Sequence, residues 1–391
     1  MPVNKILIVL LISSLSFSFY QCSDAPSSIG ADLLSPDIID VLKLNSFTDS
    51  IAQSSLILPP TAIKLSSAER LLLGRKNDIE ASLLIRFFIS LPDSIKQDIL
   101  SNSLNITSAY IKMIKTYTCG DETAPFDFTA HKINSVWSLD FTADSLTPAF
   151  SYEPNDVIIS KELSDSINIF FIDNQLALFM LQAAADTNNP DDNGIILKPT
   201  GNAEKVVGFQ ALTSSFINYP ELKVVIEESG VVDTLDLIST IDLSVVSGNL
   251  PTVFENILVA AGYAINSRLA FDLSKLPQNV VINNAELTLT IDTTETIAGD
   301  FYINSLAAGF LADSLDADSI IGTITLPRSG NTFSGSITSF VQSWVSIYDN
   351  QGILLRTSDQ LNGVERFALK GSNTADAVLR PLLKITYTLK K

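Results

Sequence analysis

The chain has few of the side chains on which most enzyme chemistry depends. Its 391 residues include one histidine, His131, with two cysteines and two tryptophans. A catalytic serine or cysteine would have to use His131 as its base, and no motif of a hydrolase, metalloprotease or phosphate-binding loop accompanies it. Hydrolysis by two carboxylates stays open by composition, although no acidic pair stands in a recognisable arrangement. The sequence therefore predicts a protein that is not an enzyme.

Positive charge is also scarce. The chain carries 25 Lys and Arg against 43 Asp and Glu, a formal net charge of −18. Such a surface repels phosphate backbones, so we expect no nucleic-acid partner. Hydrophobic residues make up 46% and charged residues 17% of the chain, which is typical of a globular protein long enough for two domains.

The N-terminus has the layout of an export signal. Lys5 precedes the apolar run 6–12, which is too short to be a typical membrane-spanning helix, and Cys22 follows where a polar stretch begins. We predict a lipoprotein signal peptide over 1–21, lipidation of Cys22 and a flexible tether over 22–36. The alternative is an ordinary signal peptide followed by a chance cysteine. Lipidation predicts export and anchoring through the acylated cysteine in a bilayer, at the outer membrane or cell surface.

The rest of the chain repeats a series of short segments. A duplicated domain keeps such segments in order, whereas chance resemblance scatters them. We therefore predict two modules, 37–228 and 229–391. The matched pairs are 38–44 with 231–237, 82–92 with 267–277, 106–113 with 282–289, 133–146 with 303–315, 192–198 with 350–356, and 219–226 with 380–387.

The matched segments alternate between apolar and polar residues, as half-buried strands do. In the segment ITSAYIKM, this period places Ile111 and Met113 inside and Tyr110 outside. Helical spacing occurs once in each half, at 174–184 and 337–345. The fold class predicted is all-β: two tandem antiparallel jelly-roll-like sandwiches, each with a short capping helix.

The order of the motifs LAFDLSKLP, INNAELTLTI, FVQSW, NQGILLR and RPLLKITYT resembles the DNRLRE-type repeat, which overlaps the disaggregatase-related repeats and some carbohydrate-binding modules. The resemblance covers most of the second half and is looser in the first, where Phe88 replaces the usual Asp. The start SSIGADLL is similar to lipoproteins of Bacteroidetes-like bacteria. The resemblance implies jelly-roll-like sandwiches that accompany polysaccharide-active or adhesive surface proteins.

Aromatic side chains are the usual sugar-stacking groups of such sandwiches. The candidates for ligand binding are Trp137, Tyr110 and Tyr152. The matched segments align Trp137 with Ala307 or Ala308 in the second half. For Trp137 the alternative is core filling, and we also expect Trp344 to be a core anchor.

Acidic oxygens are concentrated in the segment DTNNPDDNG. Calcium prefers such donors, so Asp186, Asp191 and Asp192 are candidate ligands of a structural calcium ion, and no other cofactor is expected. The segment lacks the spacing of an EF-hand loop. The alternative is a solvated acidic loop.

Two functions remain open. The first is a non-catalytic surface lipoprotein that binds polysaccharide or another envelope polymer, for adhesion or substrate capture. The second is a structural or assembly lipoprotein of the envelope that binds protein partners through sheet edges or loop ends.

Overall fold

A computed structural model describes residues 40–185, 192–212, 219–228, 230–250, 256–277, 279–299, 304–314, 316 and 318–390. Leu42–Lys390 form one compact unit, and only two residues of the other unit, Met1–Val41 with Lys391, are described. The predicted signal peptide, the lipidation at Cys22 and the tether lie outside the described residues. Within the described ranges, no helix is both long and apolar enough to cross a membrane.

The protein is an all-β sandwich fold, as predicted, and its described residues form antiparallel strands and three short α-helices. We call the sandwich built mainly from the first half of the chain the first sandwich. Its strands are β4 Arg70–Lys76, β5 Ile79–Phe88, β6 Asn105–Cys119, β7 Phe128–Lys132, β8 Ile158–Glu162, β9 Ile167–Ile172, β10 Ile195–Pro199, β11 Val206–Gln210, β12 Glu221–Glu228 and β13 Val231–Ser247; its helices are α1 Asp93–Leu100 and α2 Asn174–Ala185.

The second sandwich combines the C-terminal half with three N-terminal strands. Its strands are β1 Val41–Asn45, β2 Gln53–Ile57, β3 Thr61–Ala62, β14 Asn256–Ala260, β15 Tyr263–Ala264, β16 Ser267–Phe271, β17 Val280–Thr290, β18 Ser305–Leu311, β19 Ile320–Ser329, β20 Thr332–Ser336, β21 Ile353–Thr357, β22 Arg366–Lys370 and β23 Leu382–Leu389; its helix is α3 Thr338–Ser346.

Strand order is shared between the two sandwiches. In the first the order is β11-β4-β5-β13-β12-β6-β9-β8, with β10 between β5 and β7. In the second it is β1-β23-β17-β20-β19-β18-β21-β16-β2, and β14 pairs separately with β22. The register agrees residue by residue in these equivalent cross-strand pairs: Ile195–Ile85 and Ile353–Leu269, Val224–Ala109 and Ile385–Ala285, Phe209–Leu71 and Phe367–Val259.

The strand pairings do not follow the predicted boundaries at residues 37 and 228. Strands β1 and β2 pair with β23 and β16 of the second sandwich, whereas β13 pairs with β12 and β5 of the first. The matched segments 38–44 and 231–237 thus contribute to the equivalent strands β1 and β13. β1 lies in the second sandwich although it comes from the first half of the chain, and β13 lies in the first sandwich although it comes from the second half. The reason is local: only residues 229 and 230 separate β12 from β13, and so short a turn makes consecutive strands pair.

One of the predicted segment matches is wrong. Ala130 of β7 faces Leu197, and Ala308 of β18 faces the equivalent Leu355, so β7 is the counterpart of β18. The match of 133–146 with 303–315 is therefore out of register, and Trp137 has no counterpart at Ala307 or Ala308. The sequence similarity was misleading because the segment 133–146 lies in the connection after β7. Strand pairing does not constrain the sequence of that connection.

The alternation pattern identified the buried faces correctly. Ile111, Met113, Leu287 and Leu289 lie in the two sandwich cores, while Tyr110 is partly exposed. A third cluster lies between the sandwiches and joins residues of β4 and β6 to Val364. Its burial ties the two sandwiches into one unit because apolar area there is removed from water.

The capping helices differ in their surroundings. α2 follows β9 and α3 follows β20, which are equivalent positions. Only the first sandwich has the additional helix α1, which packs against α2 and contributes Ile95 and Ile99 to the core. In the second sandwich the corresponding connection begins at Asp272 and is a turn over its described residues.

Candidate functional site

The second sandwich has an open corner where the first is closed. In the first, β13 runs from β12 to β5 without leaving the sheets, with a bulge between Ser239 and Ile241. In the second, the same course is divided into β1 and β2, and residues 46–52 form a loop between them. This loop and the connection between β22 and β23 enclose a cleft of about 590 Å³.

We call this opening the corner cleft. Its lining alternates apolar and hydrogen-bonding side chains, and of the described residues that form it none is acidic. The lining residues are Asn45, Ser46, Phe47, Ser50, Ile51, Ala52, Gln53, Ser372, Asn373, Ala377, Val378, Arg380, Pro381 and Leu382.

Hydrogen bonds hold the loop that forms one wall of the corner cleft. The Ser46 N–H donates to the Leu383 carbonyl at 2.9 Å, and the Leu383 N–H donates to Ser46 Oγ at 2.8 Å. The Asn45 N–H donates to Asp49 Oδ2 at 2.6 Å, and Lys275 Nζ donates to the Asp49 carbonyl. Because the wall is fixed by these bonds, the cleft is formed before any ligand arrives.

The corner cleft presents an aromatic ring beside polar groups. Phe47 is 49% exposed and Val378 is 69% exposed, so both present apolar surface at the cleft. Gln53 Oε1 is buried without a hydrogen-bond partner in the described structure. Arg380 Nε donates to the Thr374 carbonyl at 2.7 Å, which fixes the guanidinium beside the cleft.

The described lining of the corner cleft differs from that of a glycosidase site. A retaining or inverting glycosidase needs two carboxyl groups facing the same bond. Among the described residues lining the cleft, Arg380 is the charged one, and no carboxyl group joins it.

Trp137 is buried in a cluster with Leu84 and Ile196, on the face of β5 and β10 that points away from the core of the first sandwich. It is 4% exposed, its Nε1 donates to the Asn193 carbonyl at 2.6 Å, and the Arg86 guanidinium lies 5.7 Å from the ring centroid. Both the N–H and a face of the ring are therefore used within the protein. This burial supports the core-filling interpretation, and Trp137 presents no free face on which a sugar could stack.

Tyr152 packs against the hydrophobic cluster that contains Trp137, whereas Tyr110 is not part of that cluster. Tyr110 is partly buried against Phe171, with the ring centroids 5.6 Å apart. Tyr152 packs against His131 at 5.2 Å, and Lys198 Nζ lies 5.3 Å from the Tyr152 centroid. Neither tyrosine lines the corner cleft.

Of the candidate calcium ligands, Asp186 and Asp191 lie outside the described residues. Asp192 Oδ1 accepts a hydrogen bond from the Gly194 N–H at 2.8 Å, and burial raises the pKa of Asp192. This carboxylate therefore shapes the turn before β10. Within the ranges that the structure describes, no group of three or more His, Cys, Asp or Glu side chains is arranged to hold a metal ion.

Sequence reasoning missed the residues of the corner cleft. A signal was present, because the stretch Asn45–Ser50 reads NSFTDS, rich in turn-forming residues, where the matched stretch Ile238–Leu243 reads ISTIDL. That contrast indicated a loop in one copy and a continuous strand in the other. It did not indicate that Arg380, more than 300 residues later, would form the opposite wall.

No protein-family model matches the sequence, and no curated protein matches it. Among solved structures, the chain is similar to the C-terminal domain of the Streptococcus agalactiae AgI/II polypeptide BspA, with 11% identity, coverage of 85% of this chain and 92% of that chain, and a TM-score of 0.16. It is also similar to the Fcho1 mu homology domain of Danio rerio with bound Eps15 peptide, with 8% identity, coverage of 87% and 79%, and a TM-score of 0.13. At these TM-scores neither structure informs the fold or the function.

Proposed function

We propose that this protein is a non-catalytic surface lipoprotein that binds a neutral polysaccharide in the corner cleft, for adhesion or substrate capture. The observation that carries the proposal is the half-exposed ring of Phe47 beside an open cleft lined by amide, hydroxyl and guanidinium groups. The anchor at Cys22, the place at the outer membrane or cell surface and the DNRLRE-type resemblance belong to the proposal as sequence expectations.

The chemistry of the lining matches that of a sugar. Pyranose rings present an apolar face that stacks on aromatic rings and hydroxyl groups that both donate and accept hydrogen bonds. Phe47 supplies the ring, Gln53 an unpaired acceptor and Arg380 a donor. The volume of about 590 Å³ lies within the range of small-ligand sites. The net charge of −18 favours a neutral over an anionic chain.

The direct test replaces the exposed ring. Phe47→Ala should weaken binding to the retained polysaccharide about tenfold, because one stacked ring contributes on the order of 1 kcal/mol beyond its buried area. Retardation in affinity electrophoresis with soluble neutral polysaccharides measures this. Phe88→Ala is the matched control, since Phe88 is 55% exposed on the first sandwich, away from the cleft. Equal losses in both variants, or none in Phe47→Ala, would contradict the site.

The second candidate function is assembly with protein partners. β8 is the terminal strand of its sheet, and Ile159 on it is 69% exposed, with Leu163 and Ile167 also exposed nearby. An apolar sheet edge is a surface to which another strand can add. Crosslinking from position 159 on intact cells, compared with position 47, would favour this function if one envelope protein were captured at 159 and no polysaccharide were retained.

A further inference from the structure

A second opening lies at the end of α3. It has a volume of about 490 Å³, and we call it the helix-end cavity. One wall is the turn after β16, and the other is the last part of α3 with the residues that follow. The lining residues are Phe271, Asp272, Leu273, Ser274, Leu276, Pro277, Trp344, Val345 and Asn350.

The first sandwich closes the equivalent position. There, α1 packs against α2 and inserts Ile95 and Ile99 into the core, whereas the second sandwich has no such helix in the described connection. Phe179 is the counterpart of Trp344, because Phe179 follows Ile172 by seven residues and Trp344 follows Ile337 by seven. Lys132 Nζ lies 3.6 Å from the ring centroid of Phe179. Among the described residues, α1 therefore covers in the first sandwich the position at which the second sandwich has the helix-end cavity.

Trp344 combines an aromatic surface with an unsatisfied donor. Its ring stacks on Phe310, with the centroids 5.7 Å apart and 22° between the planes. Its Nε1 is buried and has no hydrogen-bond partner in the described structure. A buried N–H without an acceptor is destabilising, so a ligand oxygen that reached this donor would be bound favourably. Asn350 and Asp272 add polar groups on the same lining.

The turn that lines the helix-end cavity is hydrogen-bonded to the loop that lines the corner cleft. The Asp272 N–H donates to the Ala52 carbonyl at 2.8 Å, and Lys275 Nζ donates to the Asp49 carbonyl. Ala52 lines the corner cleft while Asp272 lines the helix-end cavity. A hydrogen bond thus joins the lining of one opening to the lining of the other.

We propose that the helix-end cavity is a second subsite for the polysaccharide bound in the corner cleft. This inference rests on the proposed function. The ligand would then be recognised as an extended chain that passes over the 46–52 loop, with one unit at Phe47 and a later unit at Trp344. A terminal sugar alone would occupy only the corner cleft.

The test measures how affinity depends on chain length. Linear neutral gluco-, manno- and xylo-oligosaccharides of two and six units are titrated calorimetrically against the full chain and two variants. Ser274→Trp fills the cavity from an exposed position, and Trp344→Phe keeps a ring but removes the N–H donor. Gln97→Trp, on the exposed side of α1, is the control for an added tryptophan.

The expected result is that the unmodified chain binds a six-unit ligand about tenfold more tightly than its two-unit counterpart. Ser274→Trp should remove that increment and leave two-unit binding unchanged. Trp344→Phe should lower the affinity for the six-unit ligand about threefold, and Gln97→Trp should leave the length-dependent increment unchanged. Binding that does not depend on length, or an increment that survives Ser274→Trp, overturns this inference and leaves the proposed function standing. No binding of either length by the unmodified chain, with no polysaccharide retained, overturns both.

Discussion

The two sandwiches share strand order and register, yet the first is closed at the places where the second is open. The first continues through one corner as the 17-residue strand β13, while the second interrupts that course between β1 and β2. The first also covers its capping helix with α1. The two sandwiches thus share the strands that build the core and differ in the connections, which can change without exposing apolar area.

Each sandwich has a glycine at the same turn, where two backbone segments lie close together. Gly194 and Gly352 occupy the same position before β10 and β21, with φ of +76° and +94°. A Cβ on Gly194 would lie 2.1 Å from the Ile85 carbonyl oxygen, and one on Gly352 would lie 2.9 Å from the Leu269 carbonyl oxygen. Both positions require glycine, and the first is the more crowded.

The largest effect expected is from alanine at these two turns. Gly194→Ala should destabilise the protein by about 4 kcal/mol and Gly352→Ala by about 2 kcal/mol, because a positive φ strains any side chain and only the first clash is severe. Urea unfolding of the two variants measures the difference. Equal losses of unfolding free energy in the two variants would show that both turn backbones relax to the same extent. The difference in Cβ crowding would then have no effect on stability.

The next prediction concerns a carboxyl group that only the second sandwich has. Glu365 is 1% exposed and takes the place of Val207 of the first sandwich, packed against Tyr117 beside Gly299. Burial raises the pKa of Glu365 from its ordinary value of 4.5 to about 7. The folded state therefore holds this proton more tightly than the unfolded state, so stability falls as the pH rises from 4.5 to 7 and stays low above it.

Glu365→Gln should remove that loss. We expect a gain of about 3 kcal/mol in the free energy of unfolding at pH 8 and less than about 1 kcal/mol at pH 5. Urea unfolding at the two pH values checks this. A gain of the same size at both would mean that improved packing, and not ionisation, is the cause.

The smallest effect contrasts two aspartates, one from each sandwich. In the second, burial opposes ionisation of Asp292, but Lys370 Nζ at 2.5 Å and the Thr294 hydroxyl outweigh it and lower the pKa to about 2. In the first, burial dominates over the bonds from Leu212 and Ser239 and raises the pKa of Asp242 to about 6. Asp292 therefore stabilises the fold above its ordinary pKa of 3.8, and Asp242 opposes folding as the pH rises through 6.

The corresponding asparagine variants should have effects of opposite sign. At pH 8, Asp292→Asn is expected to destabilise by about 2 kcal/mol, and Asp242→Asn to stabilise by about 1 kcal/mol after the cost of its new amide donors. The contribution of Asp292 should disappear as the pH falls from about 4 to 2. Thermal unfolding followed by circular dichroism distinguishes the two, and a loss in both variants would contradict the contrast.

Much of the fold was open to prediction because it depends on local patterns. Ile111 and Met113, or Leu287 and Leu289, alternate with polar residues, and burial of one face follows directly from that period. The capping helices were predicted in the same way. Membership of β1 in the second sandwich was missed because an alternating pattern specifies a buried face and not the neighbouring strand.

The candidate site was less predictable, and the reason is geometric. Phe47 and Arg380 stand on segments that meet only because β1 pairs with β23. Trp137 matched a sugar-binding residue by type, but its buried position gave it an internal acceptor at Asn193. Residue type indicates what a side chain can bind, whereas exposure decides whether a ligand reaches it.

The strands, their buried faces, the order of similar segments and the acidic charge follow from the amino-acid sequence, because each depends on neighbours along the chain or on composition alone. The N-terminal strands that complete each sandwich, and the two openings of the second sandwich, are known from the three-dimensional structure and not from the sequence. Those outcomes depend on hydrogen bonds between residues hundreds of positions apart, and no local period encodes them.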